Sequence, residues 1–139
     1  MLANAPALQA KPTPKLAIQD ALGWLARHQS PDGSWGAKAM KERCPAGKSC
    51  SPEHVENPLT DHYNEGLTGL AILCFVRAGY GPDSKFEFAD ASTAQRHKAG
   101  EIVTRGLEWL TKLQNDEGGY VLDRIFMHNQ AIATLTKMA

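Results

Sequence analysis

The feature that most constrains this chain is that one stretch of it is written twice. Residues 21–35, ALGWLARHQSPDGSW, align without a gap on residues 106–120, GLEWLTKLQNDEGGY. Leu22/Leu107, Trp24/Trp109, Leu25/Leu110, Gln29/Gln114 and Gly33/Gly118 are identical. Arg27/Lys112, Asp32/Glu117 and Trp35/Tyr120 are chemically alike. Chance would give about one identity in a window of this size at ordinary residue frequencies. A weaker echo joins Leu70-Ala-Ile-Leu73 to Ile132-Ala-Thr-Leu135. A repeat of this kind means one supersecondary unit copied, each copy burying its apolar face against the next.

The apolar spacing says what the unit is. Ile18, Ala21, Leu22 and Leu25 recur at helical intervals and predict a helix from about Lys15 to Gln29, with those four on its buried face. Ser30-Pro31-Asp32-Gly33 stops it, because proline cannot continue the hydrogen-bond ladder and Asp-Gly makes a turn. A second helix is expected over Asp61–Ala78. Its centre is apolar nearly all round, which predicts cover on most sides, with Cys74 as a small core residue and Gly79 as the C-terminal cap. Asp83–Ser92 reads as a loop in which Phe86 and Phe88 fold back onto the body. A third helix is expected over Thr93–Gln114, burying Val103, Gly106, Leu107, Leu110 and Leu113, and a fourth from Phe126. No strand is expected. The turn has its own logic: a glutamine at a helix end reaches exposed backbone groups, glycine permits the reversal, and the aromatic covers the helix pair.

The sequence of 139 residues divides into a flexible tail (1–14) and a repeat segment (15–139). Unit 1 spans 15–79 with a cysteine-containing insertion at 37–60, and unit 2 spans 93–139, reading as a piece of a longer repeat protein. Fifteen basic residues balance fifteen acidic ones, which leaves no electrostatic footprint for nucleic acid. The longest apolar run lies within Gly66–Ala78, too short to span a bilayer.

Gln29-Ser-Pro-Asp-Gly33-Ser-Trp35 and its variant Gln114-Asn-Asp-Glu-Gly118-Gly-Tyr120 resemble the QW-type repeat of the squalene and terpene cyclase family. They are most similar to bacterial prenyltransferase and squalene-oxidase repeat proteins. The resemblance implies an all-α partial α/α toroid of two helix hairpins, four helices in all, with residues 16–29 and 93–114 outside and 61–78 and 126–138 inside. It implies a repeat domain used for binding or assembly. The alternative is a fragment of an isoprenoid cyclase or transferase. The Asp-x-Asp-Asp, Asp-x-Cys and thioester signatures of the superfamily do not occur in this sequence, and fold alone does not carry chemistry.

Candidate site residues follow from side-chain chemistry. Asp61, His62 and Glu65 cluster at the start of the second helix, and His128 holds the matching place in the fourth; these are cavity-facing acid–base candidates. The plainer reading is that carboxylates there complement the helix dipole, with Asp61 as the cap, and that His128 is solvated. Cys44, Cys50, His54 and His62 carry the donor types of a tetrahedral zinc site. The C-x5-C spacing favours a local disulfide instead, which would make the protein exported or membrane-associated; two unpaired loop thiols are the third possibility. Trp24, Trp35, Trp109 and Tyr120 are expected to pack between hairpins rather than stack on a ligand. No cofactor is expected. The partners expected are further repeats or a second chain over exposed apolar helices, or an apolar, isoprenoid-like ligand.

Overall fold

The computed structural model describes residues 13–36, 39–44, 63–89, 95–114, 116 and 136. Helix α1 runs Pro14–Arg27, a 3-10 turn covers Ala39–Arg43, α2 runs Asn64–Arg77, strands β1 (Glu87–Ala89) and β2 (Arg96–Lys98) form an antiparallel pair, and α3 runs Ala99–Leu113.

This corrects the all-α expectation: the described residues hold three α-helices and a two-stranded sheet rather than four helices. The segment read as a loop and the start of the third helix is instead a strand pair, with Glu87 opposite Lys98, Phe88 opposite His97 and Ala89 opposite Arg96. Lys85-Phe-Glu-Phe-Ala89 alternates with period two, and Phe88 is the buried member. The alternation is too short to compete with the helix-favouring Ala, Gln and Arg that follow it. Packing decides the matter. Phe88 meets Phe75 edge-on at 5.7 Å and Tyr80 at 5.3 Å. The backbone then fixes where α3 begins: Ala99 N–H donates to Phe86 O at 2.8 Å and Gly100 N–H to Ser84 O at 3.2 Å, satisfying two donors that a helix start leaves open.

α1 opens on Pro14, with Thr13 Oγ1 accepting from Leu16 N–H at 3.4 Å. Its buried face differs from the expected one. Leu22 and Ala26 are buried and Leu25 is partly so, while Ile18 and Ala21 face solvent. The cause is placement: α1 is held by α2 and the strand pair, with Gly23 lying against Phe88.

α2 starts at Asn64, after a cap residue, Tyr63, that makes no side-chain capping bond. It ends as expected. Gly79 takes φ 89°, and the Gly79 and Tyr80 amides close back on Val76 O and Phe75 O at 3.0 Å each. Ile72 and Phe75 are wholly buried and most sides of the helix are covered, but one strip with Leu70 and Cys74 is exposed, so Cys74 is not a core residue. On α3, Ile102, Val103, Gly106 and Leu110 are buried; Leu113, expected there too, is exposed. The core therefore sits between α2 and α3, with Leu22, Ala26, Trp35 and Phe88 closing it.

The expected fourth helix lies outside the described residues except for Thr136. That residue is helical and buried, and its hydroxyl donates to Gly69 O at 3.0 Å. Among the described residues no helix is long and apolar enough to cross a membrane.

Candidate functional site

Two arrangements stand out, and both grow from the end of α1. The first is the turn of the repeat. Ser30 N–H donates to Ser34 O and Gly33 N–H to Ser30 O, both at 2.9 Å, which closes a tight loop. Gly33 holds φ 99°, a conformation that disfavours any side chain, and its α-carbon lies against the backbone of Arg105. Asp32 Oδ1 accepts from Ser34 N–H at 2.9 Å and from Ser34 Oγ at 2.7 Å.

The conserved chemistry of the repeat points outward from this loop onto α3. The Gln29 amide donates to Gly33 O at 3.0 Å and to Ile102 O at 2.9 Å. Trp35 is 2% exposed; its indole N–H donates to Leu25 O at 2.8 Å, and its backbone N–H donates to Thr68 Oγ1 at 2.9 Å. The Trp35 ring and Ile72 close over Gly106, which has no room for a β-carbon. Trp109 hydrogen-bonds Asp32. Burial raises the Asp32 carboxyl pKa, and this is the largest single influence. The bonds from Ser34 and Trp109 together outweigh it, so the net displacement is downward. The turn that follows α1 thus docks onto α3.

Among the described residues, nothing buries the equivalent face of α1. The 85-position offset that pairs Trp24 with Trp109 also pairs Ala17 with Ile102, Ile18 with Val103, Asp20 with Arg105 and Ala21 with Gly106. On α3, Ile102, Val103 and Gly106 are buried; on α1, Ala17, Ile18, Asp20 and Ala21 are all exposed. Ile18 is 54% exposed where Val103 is 0%.

The second arrangement joins His28 to Cys44. His28 is 1% exposed and its ring stacks on Trp24 at 4.0 Å. Its Nδ1 lies 2.7 Å from Trp24 O. A carbonyl only accepts, so Nδ1 carries a proton and donates it to Trp24 O. Cys44, at the end of the 3-10 turn, places Sγ 3.8 Å from His28 Nε2 and 3.7 Å from Met40 O.

Of the residues singled out from sequence, Glu65 lies partly buried in the first turn of α2, where its charge complements the helix dipole. Asp61, His62, His128, Cys50, His54 and Tyr120 lie outside the described residues. Cys44 is brought to His28, a partner that was missed by the sequence reading. The signal was there: His28 occupies the place that Leu113 holds in the second copy. Among the described residues no three His, Cys, Asp or Glu side chains converge as a metal site. A cleft of about 460 Å³ runs between α1 and β1, lined by Gln19, Asp20, Trp24, Arg27 and Glu87 among others. It is open, and its lining is mixed, with Phe86, Phe88 and Ala89 beside the charged groups.

No family model matches the chain, and no curated protein or solved structure is significantly similar to it.

Proposed function

We propose that the chain is a repeat module that works by assembly, docking the Gln-x-x-x-Gly-x-aromatic turn of one unit onto the first helix of another. The observation that carries this reading is the contrast between Ile18, 54% exposed, and its repeat equivalent Val103, 0% exposed. A surface that is covered in one copy and bare in the other is a vacant position in a propagating series, because repeat units each bury a face against a neighbour. The occupant is the same Gln-x-x-x-Gly-x-aromatic motif supplied by a second copy of this chain, whose second occurrence of it begins at Gln114. Such head-to-tail contacts give rings or open chains rather than closed twofold dimers. Ala21 stands where Gly106 admits Trp35, so a docked aromatic sits one methyl farther out than inside the chain.

The turn's likeness to the squalene and terpene cyclase repeat supports the same reading. The enzyme alternative rests on that likeness alone.

Sedimentation velocity over a range of concentrations tests the proposal. The expected result is association that strengthens with concentration and is abolished by Ile18→Glu, with unchanged circular dichroism because Ile18 is exposed. A chain that stays monomeric throughout, or one whose association ignores Ile18→Glu, overturns it.

A further inference from the structure

We propose that side-chain size selects which copy of the motif docks on which helix: the Trp35 turn suits Gly106 on α3 of its own chain, and the Tyr120 motif suits Ala21 on α1 of a second copy. This rests on the assembly reading above and names what selects the partner within it.

The contact inside the chain has no room to spare. A β-carbon at Gly106 would lie 2.9 Å from Ile72 Cδ1, 3.0 Å from Ile72 Cγ1 and 3.2 Å from Trp35 Cζ3. Approaches this short force a neighbour to shift, and overpacking of that kind is destabilising. Both neighbours are held in place. Ile72 is 0% exposed and Trp35 2% exposed. The indole is also tied by its N–H to Leu25 O at 2.8 Å, and its centroid lies 6.3 Å from that of the Phe75 ring.

The second copy of the repeat changes all three groups together. Ala21 takes the place of Gly106 and adds a methyl group. Tyr120 takes the place of Trp35 and offers one ring instead of two. The echo of Leu70-Ala-Ile-Leu73 in Ile132-Ala-Thr-Leu135 sets Thr134 at the place of Ile72, and threonine has no δ-carbon. The helix side gains bulk, while both groups that meet it lose bulk. A ring docked on Ala21 sits one methyl farther out, and a smaller ring takes up that displacement without lifting the motif off the helix. Exchanges that conserve volume are those that packed contacts tolerate best. The crossed pairs are penalised. Trp35 on Ala21 overfills the contact, and Tyr120 on Gly106 leaves a void. The two motifs are thereby kept from exchanging places, which is selection by a clash against the wrong partner as well as a fit to the right one. Ala21 is exposed, so a second copy can reach it.

A double-mutant cycle on the full chain, read by sedimentation velocity, tests the pairing. Tyr120→Trp should weaken association by about 5- to 150-fold, the usual cost of overpacking expressed as an equilibrium ratio. Adding Ala21→Gly recreates the glycine–tryptophan pair and should recover most of that loss. Glycine weakens a helix interior, so this variant is read alongside its circular dichroism. Ala21→Leu gives a second measurement: leucine favours helix, the position is exposed, and the larger side chain should weaken association by itself. The outcomes separate the two readings. A wild-type chain that never associates overturns assembly, and size selection with it. Association that Ile18→Glu abolishes but that Tyr120→Trp or Ala21→Leu leaves undiminished overturns size selection alone. A loss in Tyr120→Trp that a folded Ala21→Gly double variant fails to recover does the same.

Discussion

Gln29 and Ile102, 73 positions apart in the sequence, are joined by a 2.9 Å hydrogen bond from the glutamine amide to the helix carbonyl. The same amide nitrogen also binds Gly33 O within its own loop, so a single buried group both shapes the turn and seats it on α3. Replacing Gln29 by Leu keeps the bulk and removes both donors. The expected cost is about 1–3 kcal/mol, the usual penalty for orphaning buried polar partners. Urea denaturation monitored by tryptophan fluorescence measures it, and a loss within error of zero would show that the turn is seated by packing alone.

Gly33 and Gly79 both hold positive φ, at 99° and 89°, but only Gly33 is pressed against another backbone. Alanine at Gly79 meets open space and costs about 1–2 kcal/mol through backbone strain. Alanine at Gly33 meets the same strain and, in addition, must push Arg105 and the loop apart. It should therefore be the more damaging of the two, and thermal melts of the paired variants rank them.

Thr68 is wholly buried, and its hydroxyl accepts the Trp35 backbone N–H at 2.9 Å while lying 3.4 Å from Trp35 O. Thr68→Val preserves shape and removes the acceptor, leaving a buried amide without its bond; a loss of about 1–3 kcal/mol is expected. Thr68→Ser retains the hydroxyl and should recover most of the difference. Equal behaviour of the two variants would assign the loss to the missing methyl or to shape, not to the hydrogen bond.

The depressed Asp32 carboxyl carries a pH signature. Its folded pKa lies below the unfolded value of about 3.9. The stabilisation is thus fully present above the unfolded pKa and is lost as pH falls through the folded one. Stability measured from about pH 5 downward should fall more steeply for the wild-type chain than for Asp32→Asn. Parallel acid limbs would mean that the Ser34 and Trp109 bonds do not favour the charged form.

The repeat turn was legible in the sequence because its chemistry is local: Gln29, Gly33 and Trp35 act on groups that any helix end presents. The position of α1 was not. Periodicity shows that Ile18 and Leu22 lie on one side of a helix, but which part of that side is covered depends on where the strand pair sits. The strands themselves are three residues each, too short for alternation to outweigh helical propensity, and they exist because Phe88 packs on Phe75 and Tyr80. The His28–Cys44 pair was half legible. Cysteine drew notice by its type, whereas histidine was hidden inside a repeat whose other copy has leucine.

The bond from Gln29 to Ile102 has a consequence for synthesis. A nascent chain that has left the ribosome only as far as α2 contains the turn, its glycine and its tryptophan, yet not the carbonyl that the glutamine seeks. The first unit is then a finished sequence with an unfinished fold. Its apolar residues stay available to chaperones, or to neighbouring chains on the same message, until α3 has been translated.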